Sequence, residues 1–98
     1  MAELHHSGTA TAQETALRQA AVIQGMVADL ERTIRILNID ISTEVKRVGV
    51  LDKADPAYPI LARTLGARRD NLKLTVAALG ERLRAIDPRA TQDVATAA

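Results

Sequence analysis

Few side chains in this 98-residue chain have the type and spacing to do chemistry. His5 and His6 are adjacent, and neighbouring imidazoles can hold a transition metal weakly, but no other strong ligand lies near them in sequence. The chain has no cysteine, which removes disulfides, thiolate metal sites and a thiol nucleophile, and fits a reducing compartment. Its carboxylates are scattered, without the Glu-x-x-His motif of metal sites in helical bundles. Ser7 and Ser42 have no base at a recognisable spacing. Gly66 and Gly80 are isolated glycines and do not form a phosphate-binding loop. The expectation is a protein that is not an enzyme and that holds no metal or cofactor.

Charge is the next chemistry to consider. Between Pro56 and Arg89 the cations are Arg63, Arg68, Arg69, Lys73, Arg82, Arg84 and Arg89, opposed by Asp70, Glu81 and Asp87. A basic helix face can contact phosphates, so Arg63, Arg68, Lys73, Arg82 and Arg84 are candidate nucleic-acid contacts. Against that reading, the formal net charge is only +1, and Tyr58 is the sole aromatic available for stacking on bases. No helix-turn-helix pattern is present. An ion-paired, solvated surface is the plainer interpretation.

The elements that carry these residues follow from hydrophobic spacing. Apolar residues make up 47% of the chain, almost all aliphatic, which suits helix packing better than a sheet. Thr11 followed by Glu14 has the form of a capping box. From there Ala16, Ala20, Ile23, Val27, Leu30, Ile34, Leu37 and Ile41 recur at alternating four- and three-residue steps, continuing through Glu44 to Val48 and Leu51. This is a heptad seam with one interruption. It predicts a helix over residues 12–51, preceded by a flexible N-terminal tail over 1–11.

Pro56 and Pro59 in "DKADPAYP" stop the pattern. Asp55 is a candidate N-cap with Pro56 at the first helical position, although the second helix can start anywhere between Pro56 and Pro59. We assign the turn to 52–58 and the second helix to 59–86. Its seam runs Tyr58, Ala62, Leu65, Arg69, Leu72, Val76, Leu79, Leu83 and Ile86. Pro88 blocks continuation, leaving a flexible C-terminal tail over 87–98. A short loop makes consecutive helices antiparallel. The fold class is therefore all-α, a coiled-coil-like two-helix hairpin forming a single domain.

Glu44 and Arg69 are the only charged residues on the two seams. One register allowed by the turn sets them side by side, with Ile41 by Leu72, Ile34 by Leu79 and Ile86 by Val27. The register one heptad away leaves Arg69 facing Leu37 and Glu44 facing Ala62, each without a partner, at a cost of several kcal/mol per desolvated charge. Glu44 and Arg69 are thus a candidate register-setting pair, as single polar residues are in coiled coils. The alternative is that both side chains reach past the edge into water.

One seam cannot cover all the apolar surface. In the favoured register the first helix overhangs by about 15 residues, roughly 22 Å, carrying Leu17, Val22, Ile23 and Met26. Ile60, Ala67 and Leu74 form a second stripe, Ile36 and Ile39 a third, and Gly66 and Gly80 permit close backbone approach. Side chains of this size are worth about 1.5–3 kcal/mol each on full burial. The expectation is a homodimer, an antiparallel four-helix bundle, whose candidate interface comprises Leu17, Val22, Met26, Ile36, Ile39, Ile60, Gly66 and Leu74. A monomer with Val94 and its tail folded over the overhang is the rival.

No apolar run approaches the ~20 residues of a membrane span, and "MAELHHSGTATAQ" lacks signal-peptide order, so a cytoplasmic location is expected. These readings converge on a non-enzymatic protein–protein interaction module, such as a small adaptor, chaperone or accessory subunit. It would act through self-association and the packing of a partner helix, including one from another helical protein. The alternative is a small dimeric nucleic-acid-binding factor using the basic second helix.

Overall fold

The structure, a computed structural model, describes the backbone of residues 2–86 and side chains from residue 11 onward. The expected C-terminal tail, the placement of Val94 and the side chains of His5, His6 and Ser7 lie outside the described residues. Two helices are present, α1 (Ala2–Val48) and α2 (Ile60–Ile86), and no strand occurs among the described residues. They pack against each other as an all-α hairpin.

The ends of α1 differ from the sequence expectation. It begins at Ala2, so residues 2–11 are helical and Thr11 lies inside the helix instead of capping it. The stretch before Thr11 contains no proline to interrupt the hydrogen-bond ladder, and Ala2, Glu3, Leu4 and Ala10 are good helix formers. At the other end α1 stops at Val48, short of Leu51. Gly49 takes the left-handed conformation, φ 81°, and its N–H donates to the Val45 carbonyl at 2.8 Å. This is the single-bond glycine cap, which only a residue without a Cβ adopts freely. Lys46 and Arg47 in the last turn complement the negative end of the helix dipole.

The turn is built from two aspartates. The Asp52 carboxylate accepts the Ala54 N–H at 2.9 Å, and the Asp55 carboxylate accepts the Ala57 N–H at 2.8 Å. The Tyr58 N–H donates to the Asp55 carbonyl at 2.9 Å. Asp55 and Pro56 therefore occupy the first two positions of a β-turn and do not start the helix. Proline's fixed φ suits that second position, and the carboxylate satisfies the turn's free N–H. The first bond of α2 runs from the Arg63 N–H to the Pro59 carbonyl at 3.1 Å, so the helix proper begins at Ile60.

Contacts divide the chain into two units, one of Met1–Val27 with Ala78–Ala98, the other of Ala28–Ala77. In the first unit Ala20, Ile23 and Leu83 form a buried aliphatic core, with Val27, Leu79 and Ile86 packed on it. In the second, Leu37, Tyr58 and Ala62 are buried. Leu30, Ile34, Ile41, Leu65, Leu72 and Val76 are half-buried there. Seam positions from Ala16 to Glu44 and from Tyr58 to Ile86 are all buried or half-buried, as the heptad spacing predicts. Val48, the last residue of α1, and Leu51, beyond it, are exposed.

The register is the one the charge argument set aside. In the first unit Leu83 clusters with Ala20 and Ile23, whereas the favoured register would have set it by Leu30. In the second unit Arg69 donates through Nη1 to the Asn38 side-chain oxygen at 3.1 Å, next to Leu37. Glu44 and Arg69 do not pair. Glu44 binds Arg47, three residues on along the same helix, with Arg47 Nε 3.2 Å from Oε2. Arg69 also binds its neighbour Asp70 at 3.1 Å.

The physical reason is that each charge has a partner already ordered on its own helix. The desolvation penalty expected of the neighbouring register is thereby answered locally. Side chains of Glu44 and Arg69 remain 16% and 19% exposed, so neither charge is sealed from water. The offset brings Glu44 level with Ala62, whose small side chain is 1% exposed.

Candidate interaction surfaces

In the second unit the polar groups around the turn and the seam are committed to one another. The Arg63 guanidinium donates to the Asp55 carbonyl at 3.1 Å and lies over the Tyr58 ring, 5.1 Å from its centroid. A cation over an aromatic face is attracted by the ring's quadrupole, so this one contact ties the start of α2 to the turn. Arg63, Arg69, Lys53 and Asp70 border a cavity of about 340 Å³ beside Tyr58 and Gly66. Both arginines there are engaged with groups of the chain itself. Arg47 holds the Glu44 carboxyl below the usual carboxylate range, first by hydrogen bonding and further by its charge, against a desolvation that acts upward.

The second unit's apolar side chains are by contrast uncovered. Ile36, Ile39, Leu51, Ile60, Leu61 and Leu74 are all more than half exposed, Ile60 to 80%. Ile60, Ala67 and Leu74 are spaced by sevens and share one face of α2. Ile36 and Ile39, three apart, are neighbours on α1. Gly66 is half-buried, and a Cβ there would meet only Arg69 Nη2 at 3.8 Å. Neither Gly66 nor Gly80 is required by packing within the chain, since nothing lies within 4 Å of a Cβ at Gly80.

The first unit has a different surface. Val22, Ile23, Met26, Leu79 and Ile86 floor an open groove of about 560 Å³, edged by Thr15, Arg18, Gln19 and Arg82. Val22 and Met26 are exposed, as expected, but because they lie off the seam and not because α1 overhangs there. Ile23 is buried against Leu83, a correction that follows from the register: the overhang ends before Ala20 and not before Val27. Leu17 is exposed one turn further out. Arg18 reaches back to Glu14, 3.5 Å from its carboxylate and 3.4 Å from its carbonyl. Arg82 makes no ion pair with any described residue.

The candidate phosphate contacts are thus distributed, not gathered. Arg63 is held by the turn, Arg84 is paired with Glu81, and Arg82 edges the groove. Arg68 and Lys73 are exposed on α2. Among the described residues no three His, Cys, Asp or Glu side chains are grouped to hold a metal ion. Nor is any described helix long and apolar enough to cross a membrane. What the sequence reasoning missed is the groove, because its two walls come together only in the observed register. No protein-family model matches the chain, and no curated protein or solved structure is significantly similar to it.

Proposed function

We propose that the chain is a non-enzymatic helical interaction module that self-associates and packs partner helices. The observation that carries this reading is uncovered surface. Ten large apolar side chains of the described residues, from Leu17 to Leu74, are exposed, more than isolated surface residues of a monomer account for.

Thin cores point the same way. Among the described residues no large side chain is completely buried, and a domain this small is marginal without extra burial from oligomerisation. A homodimer in which two hairpins form a four-helix layer would cover the second unit's isoleucines and leucines. The nucleic-acid alternative draws less support, because two of its five candidate cations are tied within the chain. Light scattering on the eluting protein at micromolar concentration tests the proposal. A mass twice that of the chain is expected; a monomer with a sharp, cooperative melt contradicts it.

A further inference from the structure

The groove of the first unit combines an apolar floor with a cation on each helix, Arg18 on α1 and Arg82 on α2. Leu79 and Ile86 in its floor are seven residues apart, which is about 10.5 Å along the helix axis. That is the distance between the first and last anchors of an amphipathic helix that binds through positions i, i+3, i+4 and i+7. Met26 gives the floor a flexible, polarisable side chain that adapts to the shape of its occupant.

Charge decides which occupant fits. A second copy seated groove on groove by a twofold axis would bring the Arg18 and Arg82 edges of one copy to the like-charged edges of the other, and like charges brought together oppose association. A segment bearing carboxylates beside its apolar anchors would instead meet Arg82, which no described residue neutralises, and Arg18, which Glu14 holds only at 3.5 Å. We infer that this groove binds an acidic amphipathic helix of a different protein. The inference rests on the interaction role proposed above and assigns the groove separately from the self-association surface.

The test uses the full chain and a fluorescent synthetic helix carrying Leu at i, i+3, i+4 and i+7 with Glu on both flanks. Anisotropy should report binding that weakens as salt is raised. Arg82→Glu should weaken it about tenfold or more, while Arg84→Glu, two residues on and paired with Glu81 away from the groove, leaves it unchanged. A peptide with Lys in place of Glu should not bind.

Equal binding of the acidic and basic peptides overturns the inference, as does no binding at about 100 µM, a dissociation constant weaker than most specific contacts. Binding confined to concentrations where light scattering finds only monomer would give the groove to a second copy. Stronger binding by Val94→Glu would give it to the chain's own C-terminal segment. Either result overturns the assignment to a foreign helix. Light scattering on the same samples separates the two proposals: a dimer that ignores the peptide sinks this inference alone, whereas a monomer that ignores it sinks both.

Discussion

The two units of the hairpin use the same helices and the same seam rule, yet they leave opposite surfaces to a partner. In the second unit Arg63, Arg69 and Glu44 find partners within the chain, at Asp55 and Tyr58, at Asn38 and Asp70, and at Arg47. Outward, that unit presents Ile36, Ile39, Ile60, Leu61 and Leu74 uncovered, among exposed charges such as Arg35, Asp40, Arg68 and Lys73. In the first unit the hydrocarbon is partly recessed in a groove, and arginines stand at its edge. Uncovered apolar side chains among charges of both signs would suit a second copy of the same chain. A recess with cations beside it suits a partner of opposite charge. On the proposed reading, specificity in the first unit would come from electrostatics and affinity in the second from area.

The largest effect that would sharpen this contrast is in the first unit's core. Leu83→Ala should cost about 2–5 kcal/mol by leaving a cavity between Ala20 and Ile23, read as a fall in the urea midpoint of far-ultraviolet circular dichroism. A cost near zero would mean that this core does not hold the unit together. Next in size is the end of α1. Gly49→Ala forces a Cβ into a left-handed backbone and should destabilise by about 1–2 kcal/mol in the same assay, even though there is room for the added atom.

The smallest effect concerns Glu44 and is one of pH. Its folded pKa lies below the ordinary value of 4.5. The stability it contributes is therefore fully present above that ordinary value and is lost as pH falls through the lowered folded one. Across that acid window the wild-type chain should lose stability relative to Glu44→Gln, whose profile is flatter. Parallel profiles would show that the Arg47 contact contributes nothing to folding.

Much of this hairpin is legible in its residues, and the limits are instructive. The seam could be read from aliphatic spacing alone because burial on a helix depends on periodicity, and each position from Ala16 to Ile41 repeats on one face. Where α1 ends was obscured by that same rhythm. Val48 and Leu51 continue the pattern on either side of Gly49, and the glycine's conformation outweighs the apolar residue beyond it. Register was hidden for a different reason. Sliding one helix by a heptad still matches apolar to apolar, so hydrophobicity cannot choose between the two offsets.

Glu44 and Arg69 do not set the register because each has a partner on its own helix and not only across the seam. Arg47 at three residues from Glu44 and Asp70 beside Arg69 were visible in the sequence as local partners, and local partners cost less ordering entropy than distant ones. The groove became visible only once that offset was known, since Leu79, Arg82 and Ile86 line it opposite Thr15 to Met26 in no other register.

The claim on which the account turns is that the second unit's exposed hydrocarbon joins two copies of the chain. Sedimentation equilibrium of the wild-type chain and of the Ile60→Glu, Leu74→Glu double variant tests it most directly, because both positions are exposed and can change without disturbing the hairpin's core. The account predicts a wild-type dimer and a variant that is monomeric with unchanged helix content. A monomeric wild-type chain, or a double variant that dimerises as tightly as the wild type, would contradict it.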